Sequence, residues 1–126
     1  MVEKEIIKPP DSATAGPYSP AIKAGNLIFV SGQGPKPGSD DIKDQTLSVF
    51  ENIKTILEAA GAKISDIVKV TVYLNDMGNF GKMNRAYKKF FNENGVEDAY
   101  PARTTIEVAD LPVAIMKLEI DVIAML

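Results

Sequence analysis

Arg103, in the run Tyr100-Pro101-Ala102-Arg103-Thr104-Thr105, is placed to hold a small organic anion. Its guanidinium presents a planar fork of donors that matches a carboxylate at two points. Pro101 limits its own φ and favours an extended Tyr100, so the arginine enters a strand from a stiffened approach. By residue type alone, the same arginine reads as a surface charge paired with a nearby Asp or Glu. Glu119 lies in Lys117-Leu118-Glu119-Ile120-Asp121, where period-two alternation puts Lys117, Glu119 and Asp121 on one strand face. The simplest reading of that face is solvated. Covered by another subunit, it would make Glu119 a partly buried carboxylate able to orient a water or accept its proton.

Other candidates are weaker taken singly. Tyr18 sits in Gly16-Pro17-Tyr18-Ser19-Pro20, too punctuated for helix or central strand, and can either pack over a pocket with its hydroxyl as a polar handle or pack as an ordinary residue. Ser31-Gly32-Gln33 ends a strand; Gly32 permits close backbone approach and Ser31 can donate, although such strand ends are also common turns. Asn84 falls on a helix beside Met83 and Tyr87, where asparagine is usually exposed. The chain has no histidine and no cysteine. Imidazole bases, thiolate nucleophiles, disulfides and thiolate or imidazole metal ligands are therefore excluded. Phosphate-loop and dinucleotide patterns are absent, so nucleotide chemistry has no support. A net charge of −3 argues against non-specific nucleic-acid binding. The one basic stripe, Lys82, Arg85, Lys88 and Lys89, has the spacing of a helix's solvent face.

These groups must be positioned by a chain of 126 residues, which predicts one domain over 1–126. The longest apolar runs are too short to span a bilayer, and MVEKEIIKPP lacks the apolar core of a signal peptide, so a cytoplasmic location is expected. Strands are predicted at 3–8, 27–31, 67–74, 103–109 and 115–124. Gly25-Asn26 signals a turn, and GPKPGS (34–39) predicts a surface loop. Asp40 or Asp41 can cap a helix whose stripe is Ile42, Val49, Ile53, Ile56, Leu57 and Ala60, with Gly61 as its stop. Phe80, Met83, Tyr87, Phe90 and Phe91 form a second stripe, with Asn79 as cap and Gly95 as stop. The order β-β-α-β-α-β-β predicts an α+β layer, a mixed sheet with two helices packed on one face. In the strand 67–74, strict alternation puts Ile67, Lys69, Thr71 and Tyr73 on one side and Val68, Val70, Val72 and Leu74 on the other. With helices on one face only, β-branched and aromatic groups on the other need a cover, which predicts an oligomer.

The segments GPYSPAIKAGNLIFVSGQ, DQTLSVFENIKTILEAAG, IVKVTVYLNDMGNF, MNRAYKKFF and PARTTIEVADLP, ending in LEIDVIA, resemble the RidA (YjgF) family in type and order. The resemblance runs from about Gly16 to Ala124, and PAR followed by LEI is its most specific feature. It implies a chorismate-mutase-like α+β fold assembled as a homotrimer, with clefts between subunits. It also implies cofactor-independent hydrolysis of 2-imino acids, such as 2-iminobutanoate and 2-iminopropanoate, to 2-keto acids and ammonia. Carried over by motif, Arg103 binds the substrate carboxylate, helped by the Thr105 amide and the Gly32 neighbourhood. Glu119 positions the attacking water, and Tyr18, Ser31 and Asn84 line the cleft. No metal or cofactor is implied. An iminium carbon is already electrophilic, so orientation and a placed water suffice. Thr104 and Thr105 stand where many members have a small residue or Cys. The loop after Gln33 is shorter than usual and the stretch from Asn84 to Arg103 longer, so the cleft rim is expected to differ. A trimer that binds a metabolite without turning it over is the rival reading. The ribonuclease activity also attached to the family fits poorly with an acidic chain that has no histidine.

Overall fold

Six strands and two α-helices follow one another in the computed structural model, which describes residues 3–126. β1 (Lys4–Ile7), β2 (Ala21–Ala24) and β3 (Leu27–Gln33) precede α1 (Ile42–Ala59) and β4 (Ile67–Leu74). Then come α2 (Phe80–Glu93), β5 (Ala102–Glu107) and β6 (Leu118–Met125). The sheet order is β1-β2-β3-β6-β4-β5. β4 and β5 run parallel with α2 as their crossover, and every other neighbouring pair is antiparallel. This is the expected α+β layer with a mixed sheet. Among the described residues, no helix is long and apolar enough to cross a membrane.

Local chemistry sets both helices. Of the two candidate caps of α1, Asp41 acts: its carboxylate accepts from the Lys43 and Asp44 N–H groups at 2.7 and 3.2 Å. These backbone donors, Asp44 first, hold its pKa below the ordinary value. Both helices stop at a left-handed glycine. Gly61 donates to the Glu58 carbonyl and Ala62 to Leu57; Gly95 donates to Asn92 and Val96 to Phe91. Asn79 precedes α2 but makes no capping hydrogen bond with its side chain. The cap sits one turn earlier, where the Asp76 carboxylate accepts from the Gly78 N–H at 2.8 Å at the start of a 3₁₀ turn, Met77–Asn79.

Both apolar stripes bury against one side of the sheet, apart from Phe80 at the start of the second, which is 39% exposed. Val49, Phe50, Ile53 and Leu57 of α1 and Met83, Tyr87 and Phe91 of α2 join Ile28, Val30, Val70, Val72, Leu118, Ile120 and Val122 in one core. Phe50 sits at its centre, with the rings of Tyr87, Phe90 and Phe91 between 5.2 and 5.3 Å away. Lys82, Arg85, Lys88 and Lys89 are exposed, as their spacing predicts.

Three departures from the expected elements have physical causes. β2 was not foreseen, because AIKA is short and carries no strong pattern; it pairs with β3 through the Gly25-Asn26 turn, with Gly25 at φ +61°. β6 begins at Leu118 rather than 115, because the Ile115 carbonyl and Lys117 N–H bond to the Gln45 side chain instead of a neighbouring strand. In β4 the alternation breaks at its start. Ile67 lies opposite Ala124 and Lys69 opposite Ile123, so Val68 is an extra residue that bulges outward at 41% exposure. Ile67 therefore joins the core, and the expected grouping of Ile67 with Lys69, Thr71 and Tyr73 is corrected.

The helix-free face carries an apolar row across four strands: Ile6 opposite Ile22, Ile22 opposite Phe29, and Phe29 opposite Ile123. Ile6 is 61% and Phe29 43% exposed. Beside this row, Asp121 lies opposite Thr71 and Thr71 opposite Thr104, while Glu119 lies opposite Tyr73 and Tyr73 opposite Ile106.

Candidate functional site

Arg103 leaves the edge strand β5 on the helix side. It lies opposite Val70, whose side chain is fully buried, and Val70 lies opposite Val122. Its guanidinium lies over the Tyr87 ring, 4.7 Å from the centroid, and 5.6 Å from that of Phe80. The surface-charge reading gives way to a stacked arginine on an aromatic platform. Asn84, Tyr87, Lys88, Tyr100 and Pro101 line a depression of about 320 Å³ with it. Two buried polar atoms here, Asn84 Oδ1 and Tyr87 Oη, have no hydrogen-bond partner among the described residues. Burial pushes the Tyr87 phenol up to about 12 against the opposing pull of Arg103, so it stays neutral. Thr105 lies opposite Val72 on the side of Arg103. Thr104 lies on the other face, where its hydroxyl accepts from Lys69 Nζ at 2.7 Å.

Glu119 belongs to a second depression, of about 480 Å³, lined among others by Tyr18, Gly32, Gln33, Gly34, Asn52 and Met116. The ladder between β3 and β6 shifts between Val30 and Gln33, so Ser31 and Gly32 together oppose one residue. The Glu119 carboxylate lies across Gly32 in the space this opens; a Cβ on Gly32 would come within 2.7 Å of Glu119 Cδ. Burial, and then the charge of Asp121, raise the Glu119 pKa above its ordinary value. Asp121 in turn accepts from the Tyr73 hydroxyl at 2.9 Å. Tyr18 Oη accepts from the Ala15 N–H at 3.2 Å, which leaves its own proton free to donate. Ser31 Oγ donates to the Ser19 carbonyl at 2.6 Å, so it faces a ligand as an acceptor.

The chain thus brings together Arg103 and Asn84 in one depression and Glu119, Tyr18 and Gly32 in another, while Thr105 and Ser31 line neither. It does not join the two groups. Arg103 and Glu119 stand on opposite faces of the sheet with β4 between their strands. Two strand spacings and three residues along β4 separate their backbones by roughly 10 Å in each direction. The sequence offers no site signal at Phe80 and Tyr87, which lie under the Arg103 guanidinium, or at Gln45. The first two read as core positions of a helical stripe, and a lone glutamine on a helix carries no signal.

Residues 9–126 match the family model described as Endoribonuclease L-PSP. The chain belongs to the RidA (YjgF) family. A 2-iminobutanoate/2-iminopropanoate deaminase of Escherichia coli is 42% identical to it over 117 residues, 89% of each chain. RutC family protein PH0854 of Pyrococcus horikoshii is 52% identical over 115 residues, 86% of each. Among solved structures, E. coli TdcF with bound serine superposes with a TM-score of 0.87 at 36% identity, covering 97% of this chain and 98% of that one. The RidA-family fold, a mixed six-stranded sheet with two helices, is the architecture described above.

Proposed function

We propose that this RidA-family protein hydrolyses 2-imino acids to 2-keto acids and ammonia, in sites that two subunits of a homotrimer complete together. The feature that carries the reading is Glu119, a half-buried carboxylate of raised pKa laid across Gly32 beside Tyr18. Relatives named as imine deaminases give that group its chemistry. Arg103 binds the substrate carboxylate through its guanidinium fork, with Asn84 and the Thr105 amide at the rim. Glu119 takes a proton from water as the water oxygen bonds to the iminium carbon. The resulting carbinolamine receives that proton on nitrogen. As the C–N bond breaks and ammonia leaves, the Glu119 carboxylate takes the hydroxyl proton, the C=O bond forms, and the proton passes on to the departing ammonia. No covalent intermediate with the protein is needed. Because one protomer holds Arg103 and Glu119 on opposite sheet faces, the arginine of one subunit works with the glutamate of its neighbour.

The test couples the protein to a threonine dehydratase reaction. Wild type should accelerate 2-ketobutyrate release, and Arg103→Ala should remove the effect, a loss of at least about a hundredfold in kcat/KM. Equal performance of the two sinks the assignment. The separation of Arg103 from Glu119 within a protomer favours one second reading, a carboxylate-binding module without turnover. Saturable 2-ketobutyrate binding with no acceleration of imine loss would establish that one instead.

A further inference from the structure

Helix α1 turns a polar seam toward the strands that carry Glu119 and Gly32. Gln45, Ser48 and Asn52 share one helical stripe. Asn52 Nδ2 donates to the Gly34 carbonyl at 3.1 Å, and Ser48 Oγ accepts from the Lys36 N–H at 2.9 Å. Gln45 is 1% exposed and engages its whole amide. Its Nε2 donates to the Ser39 carbonyl at 3.0 Å and to the Ile115 carbonyl at 2.9 Å, and its Oε1 accepts from the Lys117 N–H at 2.8 Å. Two carbonyls and one N–H admit only this orientation of the amide. A buried amide is costly unless every group is paired, and this one is.

The placement of these bonds matters more than their number. Lys117 precedes Glu119 by two residues, and Gly34 follows Gly32 by two. Between them Met116 lies against Gly34, where an added Cβ would come within 2.7 Å of Met116 Cε. Because β3 and β6 are antiparallel, the end of β3 lies beside the start of β6, and α1 grips both there, next to the point where Glu119 crosses Gly32. A slip of one residue in β6 would turn Glu119 to the other sheet face.

We propose that Gln45 is the positioning residue for Glu119: by holding the backbone at Ile115 and Lys117 it fixes where β6 begins, and so which backbone the carboxylate lies across. The proposal rests on the reading of Glu119 as the group that handles water. The test uses the full chain carrying Gln45→Met, which removes all three hydrogen bonds at similar length, Gln45→Glu, and Thr46→Val as a control. Thr46 is equally buried, but its hydroxyl donates only to Ile42 of its own helix, at 2.7 Å. Gln45→Met should lower kcat for 2-iminobutanoate at least about tenfold while KM stays within roughly twofold. In carbon-13 NMR of that variant, the Glu119 carboxyl should titrate nearer its ordinary value. Thr46→Val should move neither. In Gln45→Glu the new carboxyl can donate to Ile115 only when protonated, so its kcat relative to wild type should fall as pH rises. An unchanged Glu119 titration in folded Gln45→Met, or equal effects from Thr46→Val, overturns the proposal. If Gln45→Met does not fold, a pH-independent ratio for Gln45→Glu overturns it. Should wild type hydrolyse no imine, the proposed function fails, and the Glu119 titration alone decides the role of Gln45.

Discussion

For the proposed reaction, Arg103 and Glu119 are prepared by different physics. Stacking over Tyr87 and Phe80 limits the rotamers of a long side chain while leaving its edge donors for a carboxylate. Tyr87 is locked in the core, whereas Phe80 is 39% exposed and contributes mainly through this contact. Phe80→Leu should raise KM for 2-iminobutanoate by roughly twofold to fivefold, the equivalent of a partly exposed cation–π contact, with kcat little changed. Glu119 is prepared by loss of water. Its folded-state pKa lies above 4.5, so folding favours the protonated carboxyl. That contribution is fully present below the unfolded value and is lost as pH rises through the folded one. Glu119→Gln, neutral throughout, should match wild-type thermal stability at about pH 4 and exceed it at about pH 8. The same variant should lose about a hundredfold or more in kcat. Wild-type kcat should climb with pH along a limb displaced above 4.5, because the base must be ionised to accept a proton.

Among the elements, the bulge in β3 makes the glutamate side of the proposed site. By setting Ser31 and Gly32 against one residue of β6, it opens the surface on which the carboxylate lies. Only glycine leaves that room. In Gly32→Ala the added methyl meets the Glu119 carboxylate, which must move. The expected result is a folded protein with kcat reduced roughly tenfold to a hundredfold and carboxylate binding by Arg103 retained. Circular dichroism with steady-state kinetics and 2-ketobutyrate titration checks all three; unchanged kcat would show that the carboxylate's place does not matter. The other side of the site is an edge strand. Among the described residues β5 pairs only with β4, so half of its backbone groups face away from the sheet, open to a ligand or a neighbouring chain.

At the scale of the whole molecule, the sheet separates the two groups that the proposed reaction requires together. The apolar row Ile6, Ile22, Phe29 and Ile123 crosses the helix-free face and gives a second copy of the chain something to bury. Phe29→Glu should shift the proposed trimer to monomer in sedimentation and abolish the proposed deaminase activity, although it replaces neither Arg103 nor Glu119. A complementation experiment tests shared sites directly. Arg103→Ala and Glu119→Gln should each be inactive alone. Refolded together in equal amounts, they should recover about a quarter of wild-type activity, the share of sites that receive both intact residues by chance. No recovery from mixed trimers would mean that one subunit supplies the whole site.

The sequence by itself determined what is local. A cap at Asp40 or Asp41, the two glycine stops and the stripes of α1 and α2 are legible because helix signals act within a turn or two, and the structure chose Asp41. The family motifs likewise marked Arg103 and Glu119 as the residues to watch. Only the tertiary structure decided which sheet face each strand residue occupies. The outward bulge at Val68 and the late start of β6 depend on partners remote in sequence, so alternation read from one strand alone misplaces Ile67. The aromatic platform under Arg103 is hidden for the same reason, since Tyr87 and Phe80 follow a helical period whatever strand they meet. The opposition of Arg103 and Glu119 is a consequence of strand order and register, β6 and β5 flanking β4 with their pairings fixed residue by residue. Hydrophobic period says which residues are apolar; long-range pairing says which way they face.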